Sequence, residues 1–324
     1  MPEAVPCPGC SGGRFETIFE DCSDLWLRIP GEYPVVRCLE CGLVQTNPRP
    51  TPEELEAFYP EEYAPAGCPT PDRPMGRTPL VRAFRWVIAL PYRLRWGREF
   101  VSRLVPGRVL DVGAGNGFRL ARLEGRGWEP WILEPRAETA RETAGRLGIP
   151  EERVVVAYAE DADLPAGHFD LVVMDHTVEH LSDPRAVFDS ISRLLKGGGR
   201  LLITCPNYGS LESRLFGRWW MGLDMPRHLT HFGAGTLERM AAESGLEMED
   251  IRPQYGTLVM FSVVFRHAFA KGLDGSPGAK TLPLPERLAA IGLEQLATVA
   301  QAFGYMPMME VVFRKPPASV REEA

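Results

Sequence analysis

The stretch Arg108-Val109-Leu110-Asp111-Val112-Gly113-Ala114-Gly115-Asn116-Gly117 decides how the rest of the chain reads. Its first half is a short β-branched run, the pattern of a buried strand. Its second half places a glycine at every other position and leads into a helix-like stretch, Phe118–Gly125. A strand, a glycine loop and a helix in that order present backbone N–H groups to a ligand. The alternation continues downstream. Strands are predicted at Pro130–Glu134, Val154–Val156, Phe169–Met174 and Arg200–Cys205. Helices are predicted at Ala137–Leu147 and from Asp183-Pro184 to Leu195, the second stopped by Gly197-Gly198-Gly199. Strands alternating with helices predict an α/β fold built on a doubly wound, mostly parallel sheet. Chemistry then belongs at the carboxyl ends of the strands, after Val112, Leu133, Met174 and Cys205.

Two cofactor classes use such a loop. A dinucleotide site spaces its glycines G-x-G-x-x-G, so that N–H groups face a pyrophosphate. Here they fall at Gly113, Gly115 and Gly117 around Ala114, and Asp111 stands two positions before the first. That carboxylate would repel a pyrophosphate and suits a ligand with a cationic ammonium and no phosphate. S-adenosylmethionine is such a ligand. Glu134, followed by Pro135, ends the second strand and is placed to accept from two ribose hydroxyls. Glu160 and Asp161 follow the third strand and would flank the adenine; Asp175 and His176 follow the fourth, near the methionine part.

Several pieces now stand in order: Leu110 to Gly117, Glu134, Phe169-Asp170-Leu171-Val172, Val178-Glu179-His180-Leu181 and Leu194-Leu195-Lys196-Gly197-Gly198-Gly199. Over residues 107–205 they resemble the core of class I S-adenosylmethionine-dependent methyltransferases. The resemblance implies a Rossmann-like, seven-stranded sheet, S-adenosylmethionine as cofactor and methyl transfer as the activity.

The N-terminal segment reads separately. Cys7-Pro8-Gly9-Cys10 and Cys38-Leu39-Glu40-Cys41 are two C-x-x-C knuckles. Two such turns complete a closed tetrahedral set of four thiolates, which predicts a structural zinc ion in a small module. A redox pair is the rival reading, but it belongs near a βαβ unit. Residues 41–63 resemble the zinc-binding segment of a methyltransferase subset that includes C-methyltransferases of nucleotide-linked deoxysugars and proteins of glycan gene clusters. This chain lacks their large additional C-terminal domain, which favours an O-methyl product over a C-methyl one.

The polar cluster after the fifth strand, Asp224-Met225-Pro226-Arg227-His228-Leu229-Thr230-His231-Phe232, resembles a string of the same subset. It is expected on a loop before a helix at Thr236–Ser244. Histidine is suited to take a proton near neutral pH. His228, His231 and His180 are therefore the candidate bases, with His228 ahead of His231. The competing reading is that the histidines and Arg227 hold the loop.

The expected organisation is a zinc module at 1–60, a linker and basic helix at 61–106, the methyltransferase core at 107–256, and a helical region with the last strand at 257–324. The proline-rich stretch from Pro60 to Pro79 reads as linker or surface wrap. Arg82, Arg85, Arg93, Arg95, Arg98 and Arg103 form either a solvated face across the sheet edge or a contact for anionic lipid or a diphosphate-linked acceptor.

Composition bounds the rest. The 324 residues are 44% hydrophobic and 24% charged, as in a soluble globular chain, with a net charge of −7 that argues against generic nucleic-acid binding. Seven cysteines without a leader-like start predict a reducing cytoplasm. The acceptor expected is a small molecule or saccharide, free or linked to a nucleotide or lipid. The rival functions are a ribosomal or transfer RNA base methyltransferase and a non-catalytic cofactor-binding subunit. Oligomeric state is not legible.

Overall fold

The computed structural model describes residues 2–25, 27–59, 87, 90–97, 99–254, 299–301 and 303–317. Two sheets organise them. The N-terminal strands are β1 (Phe15–Cys22), β2 (Tyr33–Cys38) and β3 (Val44–Thr46). A short helix α1 (Pro52–Glu56) follows, started by a reciprocal Thr51–Glu54 capping box. Helix α2 (Leu90–Trp96) has Pro91 in its first turn. The core then runs β4 (Arg108–Val112), α3 (Phe118–Ala121), β5 (Glu129–Leu133), α4 (Ala137–Leu147), β6 (Val154–Val155), β7 (Phe169–Asp175), α5 (Pro184–Leu194) and β8 (Leu195–Pro206). It ends with α6 (Leu211–Phe216), β9 (Thr230–His231), α7 (Ala234–Glu243), β10 (Glu247–Pro253) and β11 (Met308–Arg314).

The larger sheet has seven strands in the order β10-β11-β8-β7-β4-β5-β6. Only β11 runs against the rest, between β10 and β8. This is the doubly wound, mostly parallel sheet of the Rossmann-like methyltransferase fold. Its central strand β7 is covered on both faces, so Phe169 and Leu171 to Met174 are completely buried and apolar without alternation. Helix α5 shows why the flanking helices dock. Asp183 accepts from Ala186 N at its start, Pro184 fills the first turn, and Val187, Phe188, Ile191 and Leu194 recur on the buried face. Full burial of each such side chain stabilises by roughly 1.5–3 kcal/mol.

Two local expectations need correction. Gly197-Gly198-Gly199 does not stop the helix. Helix α5 ends at Leu194, β8 begins at Leu195, and the glycines lie within the strand, where the register against β7 shifts and Gly198 takes φ +82°. Between the pairs Phe169–Leu195 and Leu171–Arg200, β8 carries three more residues than β7, and that excursion needs the backbone freedom that glycine supplies. The helix after the glycine loop closes at Ala121 and continues as turns, because Gly125 and Gly127 both take positive φ.

The smaller sheet has the order β1-β2-β3-β9. Its last strand comes from the segment after β8, with Val44 opposite His231 and Gln45 opposite Thr230. The N-terminal sheet is thus completed by the histidine-bearing segment. Tyr92 Oη donates to Pro253 O at 2.8 Å and Trp96 Nε1 to Gln301 O at 3.1 Å, so α2 lies along the β10 edge with Arg93 and Arg95 exposed. The stretch 60–79, Arg82, Arg85, Arg98 and the region 257–298 lie outside the described residues. Among the described residues, no helix is long and apolar enough to cross a membrane.

Candidate active site

The connections leave β4 toward β5 and β6, then cross to β7 and β8 on the other side. The cleft at such a switch point is where an open α/β sheet binds ligands. Gly113 leaves β4 with φ +70°, and a Cβ there would stand 2.7 Å from Thr177 Cγ2. The loops after β4 and β7 therefore meet only because position 113 has no side chain. Thr177 Oγ1 closes the contact by donating to Val112 O at 2.9 Å. Glu134, at the end of β5, is 4% exposed, and its Oε2 accepts from Gly115 N at 3.1 Å. Its Oε1 accepts from Arg136 N at 3.3 Å. A carboxylate is thereby fixed against the glycine loop.

Asp111 is 2% exposed beneath this loop. Burial, reinforced by the Asp175 and Glu134 carboxylates and opposed by Arg119, pushes its carboxyl up to about 8. Arg119 is a site residue that the sequence reading missed. From α3 it donates through Nη2 to Asp175 Oδ1 and Thr204 Oγ1, each at 2.8 Å, and through Nη1 to Glu310 Oε2 at 3.4 Å. One guanidinium thus ties together β7, β8 and β11. Burial alone would raise the Asp175 carboxyl, but the Arg119 charge and then His176 hold it below its ordinary value. The only hint in the sequence was an arginine two residues after the last loop glycine.

The structure gathers Asp111, Gly113, Ala114, Gly115, Gly117, Glu134 and Asp175 around this cleft. Pro135 follows Glu134 at the surface. His176 takes φ +57° and is exposed, with Nδ1 3.4 Å from Glu179 Oε1. Glu160 and Asp161 sit in a turn beyond β6, where Asp161 N donates to Tyr158 O at 3.1 Å.

A second cluster lies on the other side. Arg227 is completely buried; Nη2 donates to Asp24 Oδ1 at 2.7 Å and to Asp224 Oδ1 at 2.5 Å, and Nη1 to Asp24 Oδ2 at 3.1 Å. It clamps the N-terminal segment to the loop before β9. His228 follows it, its Nδ1 2.9 Å from Gly222 O. His180, on the 3₁₀ turn Val178–His180, has Nδ1 3.0 Å from Arg227 O and 2.9 Å from Tyr59 Oη. The two rings meet edge to face at 4.6 Å between centroids. Burial pushes His180 down to about 4, helped by the His228 charge. His231, on β9, has Nε2 3.4 Å from Thr46 Oγ1, and burial pushes it down to about 3.

The four cysteines converge as well. Cys7 Sγ lies 3.4 Å from Cys41 Sγ, Cys10 Sγ lies 3.5 Å from Cys38 Sγ, and all four are within 4.8 Å of one another. Disulfide sulfurs stand about 2 Å apart. Thiolates about 2.3 Å from a tetrahedral ion stand about 3.8 Å apart, and this set fits that spacing. Ser11 N donates to Cys7 O at 2.8 Å and Gly42 N to Cys38 O at 2.9 Å, forming the two knuckle turns. The β1–β2 hairpin fills the long gap between the knuckles, pairing Phe15 with Cys38.

A family model described as a methyltransferase domain matches residues 88–251, just over half of the chain. The chain belongs to this methyltransferase family. Among curated relatives, the ubiquinone biosynthesis O-methyltransferase of Thiobacillus denitrificans is 32% identical over 172 residues, 50% of this chain and 73% of the relative. The protein of that name from Erwinia tasmaniensis is 32% identical over 123 residues, 37% of this chain and 51% of its own length. The chain thus spans about half the length of the Erwinia relative. Among solved structures, an S-adenosylmethionine-dependent methyltransferase from Thermotoga maritima is 17% identical at a TM-score of 0.45, covering 73% of this chain and 96% of that one. The methyltransferase-family match contains the glycine loop, Glu134, Asp175, Glu179, His180 and His228; it does not reach the four cysteines.

Proposed function

We propose that the protein binds S-adenosylmethionine at the β4–β7 cleft and transfers its methyl group to a hydroxyl oxygen of a small, saccharide-type acceptor. The observation that carries this reading is the glycine loop with Glu134 fixed on Gly115 and the buried Asp111 beneath it. Three carboxyl groups, Asp111, Glu134 and Asp175, line the cleft against two guanidinium groups, Arg119 on Asp175 and Arg136, whose Nε lies 3.5 Å from Glu134 Oε1, and the acidic surplus suits a cationic ligand and opposes a pyrophosphate. Glu160 and Asp161 are assigned to the adenine side, and His176 with Asp175 to the methionine side. The family membership and the O-methyltransferase names of the relatives support the same reaction class.

In that reaction the acceptor oxygen attacks the methyl carbon in line with the breaking C–S bond, and the hydroxyl proton leaves to a base. Much of the acceleration comes from orientation. We assign the base role to His228. A carbonyl oxygen can only accept, so Nδ1 donates its hydrogen to Gly222 O, and in the neutral ring the lone pair that takes the proton is on Nε2. His180 and His231 are assigned to orienting and shaping the acceptor side. The four cysteines are assigned to one structural zinc ion, which when bound would tie the two knuckles and support the sheet that ends in β9.

Calorimetric titration with S-adenosylmethionine and, separately, NAD tests the cofactor. Saturable binding of the first alone, weakened by Asp111→Ala, is expected. NAD binding instead would overturn the reading. A saccharide panel with labelled methyl donor then tests the acceptor.

A further inference from the structure

A closed ring of contacts joins the leading segment to the histidine cluster. Beyond α1 the chain turns, with Phe58 N donating to Leu55 O at 2.9 Å and Tyr59 N to Glu56 O at 3.0 Å. Phe58 is buried in the core of the small sheet and meets Tyr33 edge to face at 6.0 Å between centroids. Its carbonyl oxygen accepts from Arg227 Nη1 at 3.4 Å. Arg227 O in turn accepts from His180 Nδ1 at 3.0 Å, and Tyr59 Oη stands 2.9 Å from the same nitrogen. Tyr59 follows Phe58, so the ring closes through Phe58, Arg227, His180 and Tyr59. The methyltransferase-family match begins at residue 88 and does not include Tyr59.

This ring decides where the His180 hydrogen sits. A carbonyl oxygen can only accept, so Nδ1 carries the hydrogen; a lone pair there would face the lone pairs of Arg227 O at 3.0 Å. Tyr59 Oη then shares that hydrogen as a second acceptor, a three-centre bond. In the neutral ring the lone pair is therefore on Nε2. We infer that Tyr59 is a positioning residue of the methyl-transfer site: it holds His180 as the Nδ1–H tautomer, so that Nε2 presents a fixed lone pair to an O–H hydrogen of the acceptor. The acceptor role rests on the proposed methyl transfer; the hold of Tyr59 on the His180 tautomer does not.

The surroundings favour this division of labour. The His180 ring meets His228 edge to face, so its lone pair belongs to the side chain next to the assigned base. Two imidazoles this close do not both take a proton, and burial keeps His180 the neutral member. Burial, followed by the Asp224 charge, pushes the Tyr59 hydroxyl above its ordinary value against the pull of Arg227, so the phenol stays protonated near neutral pH. The charges acting on Tyr59 come from both sides of the cleft: Asp224, Glu179 and Arg227 from the acceptor side, and Arg136, beside Glu134, from the cofactor side. A residue ahead of the family-matched domain thus completes its site.

The test uses the full-length chain labelled with 15N-histidine, with the His180 signals assigned by their loss in His180→Gln. Long-range proton–nitrogen correlation at pH 7 reads the tautomer. Wild type is expected to show Nδ1–H on His180, with that hydrogen in nuclear Overhauser contact with the Tyr59 ring. Tyr59→Phe keeps the ring and removes only the hydroxyl. It should speed exchange of the Nδ1 hydrogen with water by roughly two- to tenfold, the worth of one hydrogen bond, and leave S-adenosylmethionine affinity unchanged. On an acceptor from the saccharide panel it should raise KM by a similar factor and change kcat less. An Nε2–H tautomer in wild type, no contact between the Nδ1 hydrogen and Tyr59, or wild-type exchange and KM in Tyr59→Phe would overturn the inference. The wild-type spectra decide even if the substituted chain fails to fold. The two failures read apart: no S-adenosylmethionine binding by a chain with the Nδ1–H tautomer refutes the proposed function, whereas normal binding with the other tautomer refutes only the role of Tyr59.

Discussion

Replacing Asp111 by Asn isolates the cost of keeping a carboxyl under the glycine loop. In the folded chain Asp111 titrates near 8, whereas an unfolded aspartate titrates near about 3.9. Between those values the folded state holds a proton that the unfolded chain has released. Stability therefore falls as pH rises, by about 1.4 kcal/mol per pH unit from this one group, and levels off above about 8. Asparagine fills the same volume with nothing to titrate. The stability advantage of Asp111→Asn over wild type should grow by about 3 kcal/mol between pH 5 and pH 7. Urea unfolding of both chains at pH 5, 6, 7 and 8 measures it, and taking the difference removes every other titrating group to first order. Parallel pH profiles would refute the reasoning, because they would mean that Asp111 ionises in the folded chain much as it does in water. The same group predicts a ligand effect. A cationic ligand seated over Asp111 should draw off its proton, so calorimetry at pH 7 in buffers of different ionisation enthalpy should report proton release on S-adenosylmethionine binding.

Other outcomes follow from single contacts. Arg227→Met leaves the buried Asp24 and the half-buried Asp224 without their guanidinium and should cost about 3–5 kcal/mol in urea unfolding, an effect that Asp24→Asn in the same chain partly relieves. Gly117→Ala puts a Cβ at φ +62°, 2.6 Å from Thr143 Cγ2, and should cost about 1–3 kcal/mol while weakening cofactor affinity. Cys38→Ser, or strong chelation, should remove one zinc per chain by elemental analysis. It should also lower the melting temperature and red-shift tryptophan fluorescence, because Trp220, 1% exposed, packs beside Tyr33, Val35 and Val44 of the N-terminal sheet.

What the sequence could convey depended on how local each signal was. The strands of the large sheet were legible because runs such as Leu171 to Met174 are apolar on both faces, and Ala137–Leu147 was legible as a helix from end to end. The glycines at 197–199 misled, since a residue that ends helices also accommodates a bulge, and only the register against β7 distinguishes the two. The loop residues Asp111, Glu134 and Asp175 could be placed because parallel strands deliver their carboxyl ends to one edge. Arg119 could not, because its partners Thr204 and Glu310 lie 85 and 191 residues away. The Asp24–Arg227 clamp spans 203 residues and leaves no periodic trace. The histidine cluster is half legible: His180 and His228 stand out in the sequence, but the burial of Glu179 against His176 and His228 becomes visible only in three dimensions.

The pairing of β3 with β9 constrains how this chain can be recombined. A chimera that took its first sixty residues from a relative and kept its own loop would set a foreign edge strand against Thr230 and His231, and would separate Asp24 from Arg227. The exchangeable cassette is therefore discontinuous in the gene: the leading segment and the stretch from Gly217 to Phe232 must travel together. A truncation that began at β4 would leave β9 without its neighbour, and would slacken the arm that presents His228 even though every residue of the central sheet remained.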